Sequence, residues 1–155
     1  MAALACGFSL AMTPPAAANE ACGSGEPATG EPIKIGAIVG QTGPADFSSA
    51  SKSAAAFFDC VNANGGINGR PVEYLVEDDA WNPENAANAA AKLVNDEGVV
   101  AMAGSTSFIE CGTNARFYAD NGIGVIAGVG VPQLTAVMDA AKAAAGTGVP
   151  VMTPV

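Results

Sequence analysis

The sequence predicts an α/β domain built on a doubly wound parallel sheet, with strand order 2-1-3-4-5. Two observations predict it. Short apolar runs near residues 33, 72, 99, 124 and 149 alternate with stretches of helical pattern, and repeated strand–helix–strand units close as right-handed parallel crossovers. The first run, Ile33 to Val39, is apolar almost throughout, as expected of a strand covered on both faces.

Each element has its own local warrant. Gly40 to Pro44 break the first strand. A helix follows from about Ser48 to Asn64, with Ala54, Phe58 and Val61 on one face and Phe57 widening the stripe. Gly65 and Gly66 end it, because glycine accepts the left-handed backbone of a helix terminus. Pro71 to Glu77 alternates as a second strand. Asn82-Pro83-Glu84 opens the next helix: Asn caps, Pro suits the first turn, and the carboxylate meets the positive end of the helix dipole. Its buried stripe is Ala86, Ala90, Leu93 and Val94, and Asp96-Glu97-Gly98 closes it. Val99 to Ala103 forms a third strand. Ser107-Phe108-Ile109-Glu110 fits a capping box and starts a third helix running to about Asn121. Val125 and Ile126 give a fourth strand, Pro132 to Ala145 a fourth helix, and Val149 to Met152 a fifth strand.

Composition narrows the function. Hydrophobic residues make up 50% of the 155 and aromatics 6%, so the core is one of Ala, Val, Ile and Leu. Six basic residues against 15 acidic ones give a formal charge of −9, which disfavours nucleic acid and anionic membrane surfaces. With no His, Ser-His-Asp and Cys-His catalysis and His metal sites are excluded. No apolar run reaches the length of about 18 residues expected of a membrane span, and no metal site or cofactor is expected. Gly40-Gln41-Thr42-Gly43-Pro44 is neither phosphate-binding fingerprint. Asp78-Asp79 lacks calcium-loop spacing and reads as loop and cap chemistry, with Trp81 a packing lid. A response regulator needs acids after the first strand and an Asp after the third, where this chain has Gly-Gln-Thr-Gly and Gly-Ser-Thr. Asp46 is the one isolated carboxylate at a strand end, so the chain is expected not to be an enzyme.

In open parallel sheets ligands sit at the carboxyl ends of the strands, beside the topological switch point. Three loops meet there: Gly40 to Ser49, Gly104 to Ser107, and Ala127 to Pro132. Ser105, Thr106 and Ser107 bring hydroxyls and amide donors to a helix start, an arrangement that suits a carboxylate or another anion.

Several segments then resemble the first lobe of the leucine/isoleucine/valine-binding family, the type I periplasmic binding proteins of ABC importers. They are Ile35-Gly36 with Thr42-Gly43-Pro44, the run Asn62-Ala63-Asn64-Gly65-Gly66-Ile67-Asn68-Gly69-Arg70-Pro71, Asp78-Asp79 with Asn82-Pro83, Lys92-Leu93-Val94, Gly104-Ser105-Thr106-Ser107, and Gly122-Ile123 leading to Pro132. The resemblance covers Ile33 to about Thr135 and is densest in the Asn62–Pro71 run. It implies a flavodoxin-like lobe, hinged to a second lobe that this chain lacks, so that residues 33–155 read as a truncated solute-binding lobe. It implies a ligand-binding site at Ser105, Thr106, Ser107 and Phe108 after the third strand and at Gly128, Val129 and Gly130 after the fourth. The loop from Thr42 to Phe47 lines the cleft. It implies an extracytoplasmic binding component that hands branched-chain amino acids or related small polar solutes, amides included, to an inner-membrane ABC permease. A ligand-sensing receptor domain of the same fold is the alternative. Gly130 stands where amino-acid binders of the family place a Thr, and Phe108 where a ligand Ser is often found, so the resemblance does not fix the ligand.

Residues 1–18 end in Ala16-Ala17-Ala18 behind an apolar stretch and read as the remnant of an export signal, though without a preceding Lys or Arg. A lipoprotein signal, Ala3-Leu4-Ala5 before Cys6, is the rival and would give a lipid anchor. Residues 19–32 are a Gly-, Pro- and Glu-rich linker. Export allows disulfides. The fold expected places Cys60 and Cys111 on opposite faces of the sheet and Cys60 near the entry of the chain from Cys22, so if one bridge forms it is expected to be Cys22–Cys60, the alternative being that all four cysteines are reduced.

Overall fold

The computed structural model describes residues 25–128. The expected fourth helix and fifth strand, the export segment and the first part of the linker, residues 19–24, lie outside the described residues, as do Cys6 and Cys22. Within them, four parallel strands alternate with three helices. β1 (Ile33–Val39) leads to α1 (Ser49–Ala63), β2 (Val72–Asp78) to α2 (Pro83–Ala91), β3 (Ala101–Ser105) to α3 (Glu110–Asp120), and β4 (Gly124–Ala127) follows. The sheet order is β2-β1-β3-β4. β1 pairs with β2 over its whole length, Ile33 opposite Val72 through Val39 opposite Asp78. The described part of the sheet therefore has the order read from the sequence.

Right-handed crossovers with this order put α1 on one face and α2 and α3 on the other. The principal core lies on the α2–α3 face. Ile38, Leu93 and Met102 are fully enclosed there with Ala90, Val99, Tyr118 and Ile123, and Leu75, Val94, Phe117 and Val125 pack against them. Burying side chains such as Leu93 and Met102 stabilises by about 2 kcal/mol each. Across the sheet, Phe58 of α1 meets Tyr74 of β2 with ring centroids 5.1 Å apart.

The element ends carry the corrections. Phe57 does not join the α1 stripe: it is 60% exposed, and Ala54, Phe58 and Val61 are half-buried. Asn82 caps α2 as expected, its side chain accepting from the Glu84 and Asn85 amides. α2 then widens into a π-helical turn over Lys92–Asp96, which keeps Leu93 buried. β3 starts two residues later than the apolar run suggested, and Val100 is 61% exposed at its entrance. Between Ala103 and Ser105 the register with β4 shifts. Gly104, at φ +77°, makes that shift; a Cβ there would stand 2.8 Å from the Tyr74 hydroxyl, which donates to the Ala103 carbonyl. Glycine alone meets both the backbone angle and the close approach. The irregularity turns the chain into the loop that carries Ser105 to Ile109.

Candidate functional site

The turns that follow β1, β2 and β3 meet at one rim and are bonded to each other. The β1 turn closes on itself through the Phe47 amide and the Gly40 carbonyl, 2.9 Å apart. Asp78, at the end of β2, clamps its base: the carboxylate accepts from the Gln41 amide (2.9 Å), the Thr42 amide (3.1 Å) and the Thr42 hydroxyl (2.6 Å). Thr106, just after β3, donates its hydroxyl to the Phe47 carbonyl at 2.8 Å. The indole of Trp81 donates to the Ala45 carbonyl at 3.0 Å.

Three rings gather where these turns touch. Trp81 stacks on Phe108 with centroids 5.2 Å apart and planes 14° from parallel. Phe47 meets Phe108 edge-on at 4.8 Å and Trp81 at 5.7 Å. All three are half-buried. The indole also lies against the β1 turn, since a Cβ at Gly40 or Gly43 would come within 3.0 and 2.8 Å of it. Its position depends on an unusual backbone: Ala80 and Trp81 both have positive φ, 49° and 60°. Such left-handed residues cost on the order of 1 kcal/mol or more each. Two Asx turns hold them, with Asp78 accepting from the Ala80 amide (3.0 Å) and Asp79 from the Trp81 amide (2.9 Å).

Beneath the rim is a polar network built on α3. Ser107 caps the helix, its oxygen accepting from the Ile109 and Glu110 amides, while its hydroxyl donates to buried Asp79. Only half of the capping box forms. Glu110 does not reach back to the serine; it turns inward, fully enclosed, and accepts from the Ser105 hydroxyl (3.3 Å) and the Tyr118 hydroxyl (2.8 Å). Its second carboxylate oxygen has no partner among the described residues. Burial pushes the Glu110 carboxyl up to about 7 against the pull of its two hydroxyl donors, and the Asp79 charge adds to the rise. The same environment pushes the Cys111 thiol up to about 12. At the surface the balance reverses. Desolvation works to raise Asp78, but bonds from Thr42, Ala80 and Gln41 together hold it below the ordinary carboxylate range.

The structure thus brings Thr42, Phe47, Ser105, Thr106, Ser107 and Phe108 together at one edge of the sheet. Gly128 joins them, its amide donating to the Ser105 carbonyl at 2.7 Å; Val129 and Gly130 lie outside the described residues. The hydroxyls are not presented as expected. Ser105 and Thr106 are each only 3% exposed. The Thr106 and Ser107 amides, expected as free donors, both point at the Ile38 carbonyl, at 3.1 and 3.3 Å. The β3 turn wraps over the end of β1, and that geometry uses them. Asp78, Asp79 and Trp81 do serve the loops, as the sequence indicated, but they also join the rim. Glu110 was missed. Glu110, Asn114 and Tyr118 lie at i, i+4 and i+8 on α3 and are all buried; a polar face at that spacing reads from sequence as solvent-facing.

Among the described residues, no group of three metal-ligating side chains occurs and no helix is long and apolar enough to cross a membrane. Cys60 is disulfide-bonded and Cys111 is free.

Periplasmic binding proteins match residues 32–155 of this chain. The chain belongs to that family. Periplasmic binding proteins of known structure have the same lobe. An extracellular ligand-binding receptor from Rhodopseudomonas palustris HaA2 superposes with a TM-score of 0.56 at 28% identity, over 72% of this chain and 30% of that one. An ABC transporter substrate-binding protein from Sphaerobacter thermophilus gives 0.59 at 27% identity, over 68% and 29%. The branched-chain amino acid transporter substrate binding protein LivJ of Streptococcus pneumoniae, solved with isoleucine, gives 0.58 at 25% identity, over 63% and 28%. The chain spans between 28% and 30% of the length of these three structures. No match was found among curated proteins. The family and these neighbours are binding proteins rather than enzymes.

Proposed function

We propose that this chain supplies the ligand-holding lobe of an extracytoplasmic solute-binding component of an ABC importer, and that its ligand is a branched-chain amino acid or a related small solute. The observation that carries the proposal is the joining of the turns after β1, β2 and β3 at one rim, fixed by the Thr106–Phe47 and Asp78–Thr42 bonds. A rim held by backbone and side-chain bonds keeps one shape before the ligand arrives, which lowers the ordering cost of binding. The rim lies where open parallel sheets bind ligands. Neighbours of the same fold include two transporter substrate-binding proteins, one of them solved with isoleucine. The disulfide at Cys60 suits an oxidising compartment outside the cytoplasm.

The test is a thermal-shift and calorimetry screen of the purified chain against amino acids, their amides and other small organic solutes. A cognate solute at about a hundredfold excess over its Kd stabilises by about 2.7 kcal/mol, a rise on the order of 10 °C for a domain of this size. A panel in which no solute raises the melting temperature overturns the proposal.

A further inference from the structure

We infer that Glu110 is a proton-operated latch on the rim: with its proton it holds the turn from Ser105 to Ile109 closed, and without it the turn opens and Phe108 leaves Trp81. Two buried carboxylates grip that turn from below. Glu110 takes the Ser105 hydroxyl at 3.3 Å and the Tyr118 hydroxyl at 2.8 Å, both on one oxygen. Asp79 takes the Ser107 hydroxyl and the Trp81 amide. Ser105 is the joint of the rim: its Oγ accepts from the Ile38 amide at 3.1 Å and its carbonyl from the Gly128 amide at 2.7 Å, so β1, β3 and the end of β4 meet on it. Phe108, next to Ser107, stacks on Trp81. The turn therefore joins both acids to the ring stack.

The grip is incomplete at one atom. The second oxygen of Glu110 is buried and has no partner among the described residues. The titratable groups around it are the Asp79 carboxylate from the β2 turn, Tyr74 from β2, and Cys111 and Tyr118 from its own helix. None is a cation, and β1, β3 and α2 contribute no charged group that acts on it. Ionised in place, Glu110 puts a second buried negative charge beside Asp79 with one oxygen unsolvated, which is costly. Either a proton on that oxygen or water admitted to it removes the cost. As pH rises the proton becomes scarcer, and admitting water becomes the favoured remedy. The path of least resistance is the Ser105 bond, the longer of the two, because Tyr118 shares a helix with Glu110 and leaves it only if α3 unwinds. Burial keeps the proton on Glu110 up to about pH 7, which sets the latch to work near neutrality.

That the latch governs solute capture rests on the function proposed above; the movement itself is tested without a ligand. Trp81 is the only tryptophan of the chain and stacks on the ring that moves, so quenching of its emission by acrylamide reports the opening. The purified chain is scanned from pH 5 to pH 8, with far-UV circular dichroism recording that the fold is kept. Quenching is expected to rise along a single-proton curve, the ratio of open to closed turn growing by about tenfold per pH unit above the midpoint. Glu110→Gln carries an amide N–H in place of the proton and is expected to stay at the low-pH level throughout. Tyr118→Phe removes a donor that favours the ionised form, so its midpoint is expected at higher pH, a shift that a merely structural tyrosine does not produce. Wild-type quenching that is flat with pH, a Gln variant that follows the wild-type curve, or a change that appears only as the circular dichroism is lost overturns the latch and leaves the proposed function standing. A solute screen without a hit overturns the proposed function and leaves the latch.

Discussion

Replacing Glu110 with glutamine separates the charge of this buried group from its shape. The carboxyl is fully enclosed, faces the hydroxyls of Ser105 and Tyr118, and has Asp79 from the β2 turn, Tyr74 from β2 and Cys111 from its own helix as titratable neighbours. No cation is among the groups that act on it. Its folded pKa of about 7 lies above the ordinary 4.5 because burial penalises the charged form. The folded state therefore holds its proton more tightly than the unfolded chain. Between about pH 4.5 and 7 the native state binds more protons, so stability falls as pH rises through that window and is flat beyond it. At about 1.4 kcal/mol per unit, the whole span corresponds to roughly 3 kcal/mol as an upper figure. The chain contains no His, which leaves the interval from pH 5 to 8 unusually free of competing titrations. Urea denaturation at pH 5, 6, 7 and 8 is expected to show wild-type stability declining by about 1–3 kcal/mol. In Glu110→Gln, whose amide oxygen still accepts from Ser105 and Tyr118, the decline is expected to vanish. A variant that keeps the wild-type slope refutes the assignment of the pH dependence to Glu110.

Two further outcomes are expected. We propose that the partner of Cys60 is Cys22: the Gly25 amide donates to the Asn64 side chain and Asn64 to the Cys60 carbonyl, so the chain enters against the last turn of α1 three residues after Cys22. Non-reducing peptide mapping should recover a Cys22–Cys60 peptide, and Cys60→Ser should lower stability by about 4 kcal/mol, the chain-entropy figure for a loop of that size; a Cys6–Cys60 peptide instead refutes the pairing. Ser107→Ala removes both the α3 cap and the hydroxyl donor of buried Asp79, so chemical denaturation should show a loss of about 2–3 kcal/mol, against about 1 kcal/mol for a simple cap.

The amino-acid sequence by itself determined the elements and their order. Ile33–Val39 is apolar enough to be covered twice, Asn82-Pro83-Glu84 states a helix start in three residues, and Gly65-Gly66 states an end. These signals are local, written in residues that neighbour one another in the chain, and they sufficed to name the parallel sheet and the edge where its loops gather. Tertiary structure decided what those loops expose. Ser107 caps from either side of the question, but whether Glu110 returns the bond or turns inward depends on Ser105 and Tyr118, which reach it only once α3 is laid against the sheet. Likewise, Thr42 and Asp78 lie 36 residues apart, and no pattern along the chain shows that one consumes the other's hydroxyl. Hydrogen-bond donors are spent in space, so a sequence shows which polar groups arrive at a rim and the fold alone settles which are still unspoken for.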